Sequence, residues 1–207
     1  MEIKDTKTHQ QKTSVKSYEV RRVERRDIAA FIEQWHYSGS INGCIANYCF
    51  SLHDGSQMIG AMFYGRMAMA GQWKRFAERE SDVIELRRLC CIDDTPKNTE
   101  SFFIGATLRW LKRNTAHKIV VSYADAEYGH TGTIYRASNF KLEGTRAGAR
   151  VILFKGKRYH DKSLRAKYKG VLKPFAARIK VALETGEAVY AATAGKFCYT
   201  FALRKEN

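Results

Sequence analysis

Residues 122–144 read SYADAEYGHTGTIYRASNFKLEG. They continue an apolar run, Lys118-Ile-Val-Val-Ser-Tyr-Ala124, whose unbroken hydrophobicity is that of a strand buried on both faces. A polar loop follows, then one helical turn ending in Tyr135-Arg-Ala-Ser-Asn-Phe140, then a return strand from Lys141. Tyr123 and Asp125 put two polar groups at the end of the buried strand. A rigid strand end beside an open loop is where folds commonly hold reactive side chains. The stretch therefore carries both a scaffold and a candidate site.

Upstream, residues 18–24 (YEVRRVE) read as an edge strand. Asp27 then caps a helix whose apolar stripe is Ile28, Phe31, Ile32 and Trp35, with Gly39 as its stop. Residues 47–53 and 57–65 flank Asp54-Gly55, a strong hairpin signal. A loop with Met67, Met69 and Trp73 leads to a long strand over 81–93 (SDVIELRRLCCID). Pro96, Asn98 and Thr99 introduce a second helix over about 100–113, with Ile104, Leu108 and Leu111 as its buried stripe. Residues 149–155 (ARVILFK) read as a further strand. Beyond Gly156, residues 163–169 and 173–184 read as short basic helices broken near Gly170 and Pro174, and 196–204 as a last strand. This order predicts an α/β fold, a mixed β-sheet sandwiched by helices. The chain divides into a flexible N-terminal tail (1–17), a core (18–156) and a basic C-terminal extension (157–207) packed on the core.

With 207 residues, 44% of them hydrophobic, the chain suits one domain with an elaborated end. No stretch approaches the roughly 20 apolar residues that span a bilayer, so no membrane partner is expected. The N-terminus lacks an apolar signal core. Five cysteines (44, 49, 90, 91 and 198) fit no disulfide ladder or Cys-x-x-Cys site, which points to a reducing cytoplasm. Net charge is +15, and between Lys141 and Lys180 stand 13 Lys and Arg against two acids, Glu143 and Asp161. Such a block meets a polyanion, because Lys and Arg on phosphates release counterions. Lys155, Lys157, Arg158, Lys162, Arg165, Lys167 and Lys169 are the expected nucleic-acid contacts, the alternative being a solvated face on a basic protein. The oligomeric state stays open, a homodimer being one option.

The spacing Tyr135-x-x-x-Asn139-Phe140-x-x-x-Gly144 resembles the Tyr-x-x-x-Gly-Phe-x-x-x-Gly signature of the GNAT acyltransferase fold, with Asn139 where a Gly usually sits. In that fold the loop before the second helix binds the pyrophosphate of coenzyme A. Here it reads Thr95-Pro-Lys-Asn-Thr-Glu-Ser101, without the usual Gly-rich pattern. Asn98, Ser101 and Gly105 are the candidate cofactor contacts; Ser101 serves equally well as a first-turn cap. In Glu85-Leu-Arg-Arg-Leu89, Arg87 and Arg88 point to opposite faces. One faces solvent; the other holds Asp125 or Glu85, or clamps an anionic substrate group. Asp125 is either a general base or a loop cap. Tyr135 occupies the GNAT position that protonates a leaving thiolate, or packs against Phe140. Tyr128 and His130 are weaker candidates. His36-Tyr37 offers an acid/base or metal ligand and a face for stacking a base.

Taken together, Trp35-His-Tyr-Ser38, Glu85-Leu-Arg-Arg-Leu89, Lys97-Asn-x-Glu-Ser101, Leu108-Arg-Trp-Leu111, Ser122-Tyr-Ala-Asp125 and Gly132-Thr-Ile-Tyr-x-Ala-Ser138 resemble the Mom family of phage DNA-modification proteins over roughly residues 18–156, which implies double-stranded DNA as the partner. The resemblance implies a transferase that converts adenines to a carbamoylmethyl derivative on the exocyclic amine and so blocks host restriction inside the host cytoplasm. The family's functional positions fall on His36, Tyr37, Arg88, Ser101, Asp125 and Tyr135, Arg88 being chosen over Arg87 because it directly precedes Leu89. Acetyl transfer alone would give an N-acetyl adenine, whereas a glycyl donor has the right atoms in the wrong connectivity. The donor is thus acetyl-coenzyme A with further steps, or a glycyl-type donor. Iron would serve a rearrangement, with His36 and Tyr37 as its candidate ligands. The alternative is an acetyl-coenzyme A-dependent N-acetyltransferase acting on a small amine or protein.

Overall fold

The computed structural model describes residues 14–204, and the Lys162 side chain falls outside the description. So do residues 1–13 of the expected tail; Val15–Ser17 form a 3-10 turn. The elements run β1 (Glu19–Val23), α1 (Arg25–Trp35), β2 (Tyr48–Asp54), β3 (Gln57–Gly65), β4 (Val83–Cys91) and α2 (Thr99–Asn114). There follow β5 (Ile119–Asp125), α3 (Thr133–Ala137), β6 (Lys141–Arg146), β7 (Arg150–Phe154), β8 (Lys157–His160) and β9 (Lys167–Tyr168). The chain closes with β10 (Val171–Leu172), α4 (Pro174–Glu184), β11 (Val189–Ala192) and β12 (Lys196–Ala202).

Two compact units emerge. The first holds the chain up to Tyr123, Gly132–Glu143 and the residues from Tyr199 onward. Its sheet has the order β1-β2-β3-β4-β5-β12-β6, with β6 and β12 contributing 141–143 and 199–202. β1 to β4 pair antiparallel in succession, and β4 pairs with β5 in parallel. The alternation of β2 and β3 covers both faces. Cys49, Ala61 and Phe63 pack with Ile28 and Ile32 of α1. On the other face Phe50 meets Trp110 of α2 at 5.2 Å between ring centroids, and Tyr64 shares a 2.8 Å hydrogen bond with Thr107. Helices on both faces explain why these strands are nearly all apolar.

Local chemistry adjusts several expectations. The cap of α1 is Glu24, not Asp27; Asp27 lies three residues on, and its carboxylate accepts the Glu24 N–H at 2.8 Å, completing a capping box. Ile28 and Ile32 are buried, but Trp35 is 41% exposed and leaves the stripe. The helix ends at Trp35, ahead of Gly39. In the first hairpin Asp54 pairs with Gln57, so Gly55 (φ 57°) and Ser56 make the turn.

The second unit comprises Ala124–Thr131 and Gly144–Cys198. Its sheet has the order β11-β7-β8, and Ile152, Ile179, Ala182 and Ala188 form its core. The basic helix expected over 163–169 is absent. Asp161–Arg165 form a 3-10 helix, and β9 pairs with β10 across Lys169-Gly170. Both turn residues take positive φ (46° and 80°), the geometry of a two-residue hairpin. Residues 173–184 do form a helix, α4, with Pro174 in its first turn. The last strand, β12, adds 199–202 to the sheet of the first unit, between β5 and β6.

Candidate active site

The parallel ladder of β4 and β5 is short. It pairs Val83 with Ile119 and stops at Leu86 with Ser122. On the other side of β4, Phe63 pairs with Arg88 and Tyr64 with Leu86, which leaves Arg87 without an opposite residue. The extra residue is a β-bulge, which bends its strand and breaks the pairing locally. Within the first unit β4 and β5 therefore stop pairing beyond Leu86 and Ser122, at their carboxyl ends. Open α/β sheets bind ligands outside such strand ends. The opposite end is clamped: the Asp82 carboxylate accepts a 3.0 Å ion pair from Lys118. That contact, aided by Arg79, holds the Asp82 pKa below the ordinary carboxylate value.

Tyr135 belongs to this place. It is buried on α3, its ring 5.5 Å from Phe140 and 5.3 Å from Tyr199. Ser122 of β5 donates its hydroxyl to the Leu86 carbonyl at 3.3 Å. Burial raises the Tyr135 pKa, with Ser122 opposing in part, so the phenol stays protonated at neutral pH. Packing against Phe140 and a protonated phenol coexist in one side chain. Asn139, in the Gly position of the signature, has φ 61°, a left-handed geometry that Asn tolerates better than most residues.

The two arginines of β4 divide their duties. Arg87 bonds the Arg66 carbonyl at 3.1 Å and lies 3.5 Å from Glu85, whose carboxylate also accepts the Ala68 N–H. Arg88 donates to the Arg87 carbonyl at 2.8 Å. Among the described residues the buried Nε of each arginine, Arg87 and Arg88, finds no hydrogen-bond partner. A buried guanidinium nitrogen with unmet capacity suits an anionic or carbonyl-bearing ligand.

His36 caps the end of α1 and is buried, its ring 4.2 Å from that of Tyr37, which is 43% exposed. The Ser38 N–H donates to His36 Nδ1 at 3.1 Å. A backbone N–H only donates, so the neutral ring carries its proton on Nε2. Nδ1 is therefore not available to a metal. Among the described residues no three His, Cys, Asp or Glu side chains converge into a metal-binding group. The residues present do not fit the iron site considered for His36 and Tyr37.

At the start of α2, Asn98 takes a left-handed conformation (φ 74°) and its side chain makes no cap. Ser101 Oγ donates to the Asn98 carbonyl at 3.0 Å, so the capping role is realised in reverse, as a donor. Ser101 and Gly105 lie four residues apart on one helix face. A Cβ added at Gly105 would stand 3.5 Å from Arg109 Nη1. The guanidinium of Arg109 thus folds back along that face toward the helix start.

In the second unit, Asp125 ends β5. Its Oδ1 accepts the Glu127 N–H at 3.2 Å, the loop-capping role, and its Oδ2 pairs with Lys196 at 2.7 Å. Glu127 in turn pairs with Arg158 at 3.3 Å, which draws one of the expected DNA contacts into a local ion pair. Lys155, Lys157, Arg165, Lys167 and Lys169 are exposed on this unit. Tyr128 and His130 flank the same loop, with ring centroids 6.5 Å apart.

Ser122, Tyr199 and Lys196 receive no role from single motifs. Ser122 lay inside the quoted segment but had no role there. Lys196 and Tyr199 stand far from Asp125 and Tyr135 in sequence, and only the pairing of β12 brings each to its partner. No local pattern announces that.

Comparison with known proteins agrees with this geometry. The ribosomal-protein-S18-alanine N-acetyltransferase of Escherichia coli shares the fold at TM-score 0.52 and 9% identity, covering 92% of this chain and 96% of that one. Arabidopsis thaliana NAA60, solved with acetyl-CoA, shares it at TM-score 0.54 and 8% identity, covering 89% and 98%. The putative acetyltransferase yncA of Salmonella typhimurium, also with acetyl-CoA, gives TM-score 0.53 at 8% identity, covering 92% and 96%. The expected GNAT architecture is thus present. In sequence, the chain is 28% identical over 119 residues to the methylcarbamoylase mom of Escherichia phage Mu, covering 56% of this chain and 49% of the relative. The chain thus spans about half the length of that curated relative. The Mom protein family itself matches over residues 17–207, which takes in both units. The chain belongs to the Mom protein family.

Proposed function

We propose that this protein is a DNA-modifying transferase that places a carbamoylmethyl group on the exocyclic amine of adenine, protecting the DNA from restriction. The match to the Mom family across residues 17–207 carries the proposal, together with the name methylcarbamoylase borne by the phage Mu relative. The geometry agrees with it. The β4–β5 ladder ends at Leu86 and Ser122, one residue before the bulge at Arg87 in the β3–β4 ladder.

The adenine amine is paired inside the duplex, so the base is extruded before reaction, at a cost of a few kcal/mol. The exposed rings of Tyr37 and Trp35 offset that by stacking. Asp125 accepts a proton as the amine attacks. Tyr135, kept protonated by burial, donates one to the leaving group. Arg88 Nε, buried and unmatched, binds the carbonyl or anionic part of the donor. His36, with its proton on Nε2, orients the amine. An acyl-coenzyme A-type donor fits the start of α2. Ser101, Arg109 and the first-turn N–H groups would hold its phosphates in place of a Gly-rich loop, with Asn98 turning the chain and Gly105 leaving room. Such a donor would supply an activated two-carbon acyl group, and the carbamoylmethyl product would then require an amination and a change of attachment in further steps. Glu100, acidic in the first turn, opposes an anion there, so a glycyl-type donor with fewer charges stays in competition.

Plasmid from cells expressing the chain, digested with a restriction enzyme whose site contains adenine, tests the protective role. Partial resistance with the wild-type chain and full cleavage with Asp125→Asn is the expected pattern. Full cleavage in both overturns it.

A further inference from the structure

The hairpin of β9 and β10 has a tip unlike the rest of its unit. Tyr168 and Val171 are directly opposed across the turn, so their side chains share one face. They are 67% and 71% exposed, and no large apolar side chain among the described residues is more exposed than Val171. The positive φ of Lys169 and Gly170 fixes the turn between them. The base of the hairpin is tied down. Leu172 pairs with Lys167, the Lys173 N–H donates to the Ala166 carbonyl at 2.8 Å, and Leu164 packs against the Ile152–Ile179 core. Cations surround the tip: Arg165, Lys167, Lys169 and Lys173 are exposed, and Lys169 Nζ lies 5.7 Å from the Tyr168 ring centroid. From Lys162 to Leu183 the sequence contains no Asp or Glu.

An apolar pair on a tethered tip, ringed by cations and without an acid, complements a polyanion with an apolar interior. Duplex DNA is such a partner: its phosphates take the lysines, and its base steps accept an apolar wedge that partly unstacks them. A lipid surface fits less well, because one cross-strand pair buries less apolar area than the single acyl chain that itself gives only marginal membrane binding. We infer that Tyr168 and Val171 form a wedge that inserts between base pairs of duplex DNA while Lys167 and Lys169 grip the flanking phosphates. This rests on the DNA-modifying reading above and adds to it a device that loosens the stack.

Relaxation of closed circular plasmid by topoisomerase in the presence of the full-length chain reads the wedge without knowledge of a target sequence. Wild-type protein shifts the topoisomer distribution. Y168S/V171S keeps its melting temperature, because both side chains are exposed, and binds plasmid within about threefold of wild type, because the phosphate contacts persist. It leaves the topoisomers unshifted, while Tyr168→Trp restores the shift. K167Q/K169Q binds more weakly, with a salt slope reduced by about two. A wild-type-sized shift from Y168S/V171S overturns the wedge and leaves the DNA-modifying reading intact. Wild-type protein that fails to bind plasmid overturns both. Wild-type protein that leaves topology unchanged but sediments with phosphatidylserine vesicles reassigns the tip to membranes and overturns the wedge.

Discussion

At the scale of single residues, Tyr135 and Asn139 show how little separates scaffold from chemistry. Both stand in the Tyr-x-x-x-Gly-Phe-like pattern, and one turn of helix fixes them. Asn139 holds a left-handed conformation, so Asn139→Ala will lower stability by roughly 1 kcal/mol, while Asn139→Gly will change it by a few tenths. Thermal melts of the two variants check this. Tyr135→Phe keeps the ring packing on Phe140 and Tyr199, so stability will change by about 1 kcal/mol or less. Its modification rate will fall far more, on the order of 100-fold or greater, because the proton donor is gone. A single-turnover assay beside a melt separates the two effects. The pattern that named Tyr135 was legible because a helical turn between two strands is local. Tyr199 as its packing partner was not, since that contact joins elements far apart in sequence.

At the scale of elements, the β4–β5 pair is closed at one end and open at the other. Asp82 and Lys118 close it, with Arg79 3.6 Å from the same carboxylate. The folded pKa of Asp82 lies below its unfolded value, chiefly through Lys118, so this stabilisation is present above the ordinary carboxylate pKa. It is lost as pH falls through the depressed folded value. Asp82→Asn will therefore lower the melting temperature at neutral pH, and the gap to wild type will narrow in acid. A pH series of melts measures it. The strands and helices of the first unit were readable from period and turn signals, and the α2 stripe of Ile104, Leu108 and Leu111 is buried as expected. The bulge at Arg87 was not readable, because it exists only as an offset between two registers. The basic segment 163–169 misled for a different reason. Lys, Arg, Leu and Ala favour helix on propensity, yet Gly170 after Lys169 supplies a turn that pairs β9 with β10 instead.

At the scale of the molecule, charge divides the chain. The net charge is +15, and Lys155, Lys157, Arg158, Arg165, Lys167, Lys169 and Lys173 are all exposed on the second unit. Affinity for duplex DNA will consequently fall steeply with salt, and replacing Lys155 and Lys157 by Gln will lower the logarithmic slope by about two. Fluorescence anisotropy across a salt series reads that slope. This asymmetry was visible in composition alone, whereas the ion pair of Arg158 with Glu127 was not, since it depends on the loop after β5 meeting β8. The central claim concerns adenine. Nucleosides from the DNA of cells expressing the wild-type chain, analysed by mass spectrometry beside those from cells expressing Tyr135→Phe, test it most directly. The wild-type DNA is expected to contain a deoxyadenosine heavier by one carbamoylmethyl group in place of hydrogen, absent or scarce with Tyr135→Phe. An unmodified adenine pool from cells that accumulate folded wild-type protein would contradict it.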